Sequence, residues 1–111
     1  MSSRGPAAVE YEDALDESAQ EWRRVRIWIE AGRVRRFVVQ YETMIGGQRV
    51  PVVRYDTAHG YAHREQMFRD RELIKTRRSD RLSLDEALQF AGDDVRRHWR
   101  TYRRQFMRNQ P

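Results

Sequence analysis

The stretch RVRIWIE-AG-RVRRFVVQYE, beginning at Arg24, constrains the fold more than any other part of the chain. Val25, Ile27 and Ile29 alternate with Arg24, Arg26, Trp28 and Glu30, and Phe37, Val39 and Tyr41 alternate in the next segment. A period of two sends successive side chains to opposite faces, so both segments read as strands with one apolar face. Only Ala31 and Gly32 separate them, room for a tight turn and nothing longer. A second turn at Gly46-Gly47 leads into QRVPVVRYD, a third strand. Pro51 has no backbone donor, so this strand lies at an edge or Pro51 occupies an unpaired position. Three strands joined by short turns make an antiparallel meander, and REQMFRD adds a short fourth strand.

The flanking segments follow another period. In EYEDALDESAQEW, Tyr11, Leu15, Ala19 and Trp22 recur at helical spacing among Glu10, Glu12, Asp13, Asp16, Glu17 and Glu21. The pattern predicts an acidic amphipathic helix at the N-terminus. Residues 70–81 are strongly charged without a period and read as a loop. Ser83 and Glu86 then form an S-x-x-E capping box. Leu84, Leu88, Ala91, Val95, Trp99, Tyr102 and Phe106 step by three or four behind it, the stripe of a long helix packed on the sheet. Gly92 inside that stripe costs about 1 kcal/mol relative to alanine and suits a close approach to a strand. The expected architecture is α+β: an antiparallel sheet of three to four strands, an N-terminal helix, and a long C-terminal helix on one face. Residues 1–9 are expected to be disordered, and residues 10–111 to form a single α+β domain.

The chain has 111 residues, 39% hydrophobic and 35% charged, which fits one domain with a small core. Limited burial of this kind suits a partner or self-association into a homo-oligomer. A net charge of +5 favours polyanions through counterion release. Arg96, Arg97, Arg100, Arg103, Arg104 and Arg108 lie off the apolar stripe of the last helix. With Arg24, Arg26, Arg35, Arg36 and the cluster Lys75, Arg77 and Arg78, they define a candidate nucleic-acid surface, because guanidinium forks match phosphate. A solvated basic surface explains the same residues. The absence of cysteine excludes disulfides, thiolate zinc sites and thiol nucleophiles. No apolar run approaches the roughly 20 residues that span a bilayer. The first residues lack the apolar core of a signal peptide. A cytoplasmic protein without membrane contact is expected. Phosphate-binding glycine loops, dinucleotide fingerprints and serine-hydrolase elbows are absent from the sequence.

The densest polar cluster is VRYDTAHGYAHRE, residues 53–65, where Asp56, His59 and His63 are spaced D-x-x-H-x-x-x-H. Three readings fit it. Metal-free ribonuclease chemistry needs a base at the 2′-OH and an acid at the leaving oxygen, and two histidines suit both tasks near neutral pH. In that reading His59 and His63 act, Asp56 orients one imidazole, and Arg54 and Arg64 stabilise the phosphorane. Two histidines and a carboxylate also suit zinc, manganese or iron. Gly60 and the preceding strand argue against the helix that would align both rings, so the metal reading ranks below the first and no cofactor is expected. Turn structure alone explains the same residues. His98 lies at the rim of the helical stripe.

This stretch resembles a small prokaryotic family with a YD-x-x-HG…H-[RK] signature, and is similar to the TumE-type toxin components of type II toxin–antitoxin systems. The resemblance covers mainly Arg54 to Arg64, and ALQFAGDDVRRHWRTYRRQF is also similar to the helix of a relative. It implies action on RNA, a protein antitoxin as partner, and roles for Asp56, His59, Gly60, His63 and Arg64. Position 65, where such a toxin is expected to carry a further histidine, is Glu65. The leading expectation is a toxin-like, metal-independent endoribonuclease. The alternative is a non-enzymatic nucleic-acid-binding or interaction protein, such as an accessory of a prokaryotic defence complex.

Overall fold

The structure, a computed structural model, describes residues 8–57, 60–69, 74–77 and 82–110. Its elements are β1 (Val9–Ala14), β2 (Glu21–Glu30), β3 (Arg33–Ile45), β4 (Gln48–Asp56), β5 (His63–Gln66), β6 (Ile74–Arg77) and α1 (Leu84–Arg108). The strands form one sheet in chain order, and every neighbouring pair is antiparallel. The α+β architecture with a long C-terminal helix is as the periodicity predicts. Two expectations are corrected. The sheet exceeds three to four strands, because part of the charged 70–81 stretch pairs as β6. The predicted N-terminal helix is strand β1.

The reason β1 is a strand lies across the sheet. Its register sets Glu10 opposite Arg26, Glu12 opposite Arg24 and Asp13 opposite Arg23. Cross-strand pairs of opposite charge favour the extended form. Helical spacing of four apolar residues does not compete with a ready-made, arginine-rich edge on β2. Residues 1–7, within the stretch expected to be disordered, lie outside the described residues, and β1 begins at Val9.

The β2–β3 turn places Ala31 and Gly32 at φ of 51° and 75°, the paired positive φ that matches strand twist in a two-residue hairpin. Pro51 sits on an internal strand, but at a protected place. The register shift between Tyr41 and Glu42 leaves Val52 as an extra residue on β4, and β5 pairs only from Val53 onward. No ladder donor is required of Pro51 on the β5 side.

One face of the sheet is packed and the other is not, as antiparallel sheets allow. Val25, Phe37, Val39, Tyr41, Val53 and Tyr55 meet Ala87, Ala91, Val95, Trp99, Tyr102 and Phe106 of α1. Burying each larger side chain of this set contributes about 1.5–3 kcal/mol. Ser83 caps the helix: its hydroxyl accepts from the Glu86 amide at 3.1 Å, and its own amide donates to the Glu86 carboxylate at 2.9 Å. Asn109, left-handed at φ 56°, closes the other end. Among the described residues no helix is long and apolar enough to cross a membrane.

Gly92 meets β2 through Arg23, whose Nη1 donates to the Gly92 carbonyl at 3.0 Å. A Cβ on Gly92 would lie 3.6 Å from that nitrogen, an ordinary contact. The contact therefore uses the backbone carbonyl and does not need a missing side chain. Gly92→Ala is expected to raise stability by about 1 kcal/mol through helix propensity, read as a higher urea midpoint. A loss of stability would show that the Arg23 contact tolerates no Cβ.

Candidate nucleic-acid interface

Strand alternation decides which sequence-predicted residues can act together. On β4, Tyr55 faces the helix, so Arg54 and Asp56 face away. On β5, Arg64 stands opposite Tyr55 while His63 stands opposite Asp56 and Glu65 opposite Arg54. Arg54, Asp56 and His63 thus share the helix-free face, and Arg54 Nη2 bonds Asp56 Oδ2 at 3.2 Å. The His63 ring lies against Tyr61, centroids 4.5 Å apart. Arg64 points the other way, under α1. His59, the other imidazole proposed from the sequence, lies outside the described residues. Gly60 follows the loop with φ of 86°, and its amide donates to the Thr57 carbonyl at 3.0 Å. Among the described residues no group of three or more metal-ligating side chains is found.

Arg64 belongs to a polar knot that the sequence reading did not assemble. Asp94 of α1 accepts the Tyr55 hydroxyl at 2.6 Å and the Tyr102 hydroxyl at 2.5 Å, both on Oδ2. Its Oδ1 lies 2.9 Å from His98 Nδ1. Arg64 Nη1 donates to the Tyr102 oxygen at 3.1 Å and its guanidinium lies 5.7 Å from that ring. A second knot uses Glu21, which accepts the Tyr41 hydroxyl at 2.5 Å and pairs with Arg103 at 3.4 Å. These groups fix the helix on the sheet. The i,i+4 spacing of Asp94 and His98 was a readable signal. The partnership of Asp94 with Tyr55 is a contact over 39 positions that no local pattern carries.

The basic residues fall into two populations. Four of those on the sheet are matched by carboxylates: Arg24 with Glu42 at 3.6 Å, Arg26 with Glu10 at 2.5 Å, Arg35 with Glu30 at 3.2 Å, and Arg49 with both Glu12 and Glu42. Arg36 lies over Trp28, 4.6 Å from the ring centroid, and Arg49 likewise over Trp22. Lys75 and Arg77 are register partners of Glu65 and His63 on β6, and Arg78 lies outside the described residues. The helix differs. Arg96, Arg100, Arg104 and Arg108 repeat every four residues and are all exposed. Such a row advances about 6 Å per step, so neighbouring guanidiniums can reach neighbouring phosphates of an extended strand. Arg96 pairs with Asp13 of β1, which also holds Arg23 through two bonds. Arg97, Arg104 and Arg108 have no carboxylate partner among the described residues, and all three are exposed.

Residues 6–111 match the model of a family described as Domain of unknown function (DUF7718). The match spans nearly the whole chain, and the chain belongs to that family. No curated protein matches the chain, and no solved structure does.

The two knots have a consequence in alkali. Burial, and then the hydrogen bond and negative charge of Asp94, push the Tyr55 and Tyr102 hydroxyls up. Burial and Glu21 do the same to Tyr41. An unfolded chain releases these protons near pH 10, while the folded one keeps them. Stability from these groups is complete below that value and is lost as pH rises above it. Between the unfolded and folded values each held proton contributes a slope of about 1.4 kcal/mol per pH unit. Unfolding free energy from urea melts is therefore expected to fall steeply above about pH 10. Tyr102→Phe should fall by about 1.4 kcal/mol per pH unit less steeply. An unchanged slope would show that the hydroxyl titrates alike in both states.

Proposed function

We propose that this protein is a non-enzymatic nucleic-acid-binding protein that holds RNA along the exposed arginines of α1. The observation that carries this reading is the row Arg100, Arg104 and Arg108, flanked by Arg97, on the helix face turned from the core; Arg96, at the head of the row, is already paired with Asp13. Counterion release makes such a row bind phosphate without reading sequence. Arg24, Arg26, Arg35 and Arg49 of the sheet contribute little, because carboxylates of the same chain already neutralise them. The basic footprint is narrower than the residue count suggests.

A second reading, the toxin-like ribonuclease with an antitoxin partner, has one placement in its favour. Asp56 stands directly opposite His63, with Arg54 on the same face. Arg64 supports binding of the helix and not that site.

A labelled single-stranded RNA, titrated with the full chain in EDTA, tests both. Four phosphate contacts predict that the logarithm of affinity falls against that of salt with a slope of about −3. Arg97→Glu/Arg104→Glu should weaken binding at least tenfold, and Arg24→Glu/Arg35→Glu less than threefold. Binding without strand scission supports the non-enzymatic reading. Scission that persists in EDTA and vanishes in His63→Ala supports the ribonuclease. An equal loss in both double variants would remove the helix row as the interface.

A further inference from the structure

Beside the arginine row lies a feature that phosphate contacts alone do not use. Trp99, Arg100, Arg103, Arg104, Met107 and Arg108 line an open groove of about 420 Å³. No carboxylate lines it among the described residues. The Arg100 guanidinium lies 4.5 Å from the centroid of the Trp99 ring. Trp99 is only 6% exposed and packs against Tyr41 with ring centroids 6.1 Å apart. The indole is therefore a fixed floor, too deeply set to receive a ligand ring itself. Its effect is to orient Arg100, since an arginine drawn to an aromatic face presents a flat, charged platform. Arg104 and Arg108, one and two steps further along the row, are exposed and have no carboxylate partner among the described residues, and supply donors beside that platform.

We infer that this groove is a stacking subsite for an unpaired nucleotide, with the base on Arg100 and the adjoining phosphate on Arg104 and Arg108. Guanidinium planes stack on nucleobases, and such stacking tolerates any base because each has a π-face. Bases inside a duplex are not available to it. The inference rests on the nucleic-acid reading above and narrows it to single strands. Arg100 is the residue that distinguishes them: lysine would keep its charge and lose its plane.

The test uses the full chain with three probes: an oligouridine dodecamer, an abasic strand with the same number of phosphates, and the same sequence as an RNA duplex. The chain is expected to bind oligouridine about tenfold tighter than the abasic strand, near the lower end of what one stacked base supplies. The duplex should show no such preference per phosphate. Arg100→Lys, checked for an unchanged thermal melt, should bind oligouridine within twofold of that variant's own affinity for the abasic strand. Equal affinity of the unaltered chain for oligouridine and the abasic strand would overturn the stacking subsite and leave phosphate binding standing. So would an Arg100→Lys variant that keeps the full base preference. Failure to bind any of the three probes would overturn the nucleic-acid reading itself.

Discussion

One carboxylate sets the roll of the helix on the sheet. Asp94 gathers the hydroxyls of Tyr55 from β4 and Tyr102 from α1, and Arg64 of β5 joins through the Tyr102 oxygen. Apolar contact alone is non-directional and would tolerate rotation of α1 about its axis. Short hydrogen bonds to a charged acceptor would not, because leaving any of these buried groups unpartnered costs about 1–3 kcal/mol. With the roll fixed, the arginines at every fourth position point outward together. The Glu21–Tyr41–Arg103 contact pins the same helix from the side of β2 and β3.

Net charge is a poor guide to where this molecule is basic. On the helix-free face of the sheet, Arg24, Arg26, Arg36, Arg49 and Arg54 are interleaved with Glu10, Glu12, Glu42, Asp56 and Glu65. Their fields largely cancel, and Trp22 and Trp28 sit beneath two of the guanidiniums. The surplus gathers on the C-terminal half of α1. That end also bears the negative end of the helix dipole, where cations are favoured. Asp85 and Glu86 stand at the opposite end, beside the free amides. The helix is thus polarised along its length, and the electrostatic footprint is an elongated stripe rather than a patch.

Much of this fold was legible in local pattern. The capping box at Ser83, the stripe from Leu84 to Phe106, and the two glycine turns each depend on residues close in sequence. What escaped depends on partners far away. VEYEDA could be helix or strand until the arginines of β2 are laid beside it. The stretch containing β6 has no period of its own and takes its form from pairing with β5. The candidate site divides in the same manner. The exposed arginines of α1 follow from helical geometry, so they were found. The split between His63 and Arg64 follows from strand parity, because adjacent residues on one strand face opposite ways. The tyrosine–aspartate knot had no local signature to read.

The edge strand β1 is attached differently from the rest of the sheet. Five of its six residues are exposed, and its side-chain ties run through Glu10, Glu12 and Asp13 to arginines of β2, β4 and α1. Ties of that kind are screened by dissolved ions, whereas the apolar seam under α1 is not. The margin and the centre of this sheet therefore answer to different solvents: brine loosens the first, and urea is needed for the second. Amide exchange along β1 would then follow ionic strength as a local fraying event, while the strands beneath the helix exchange only through global opening.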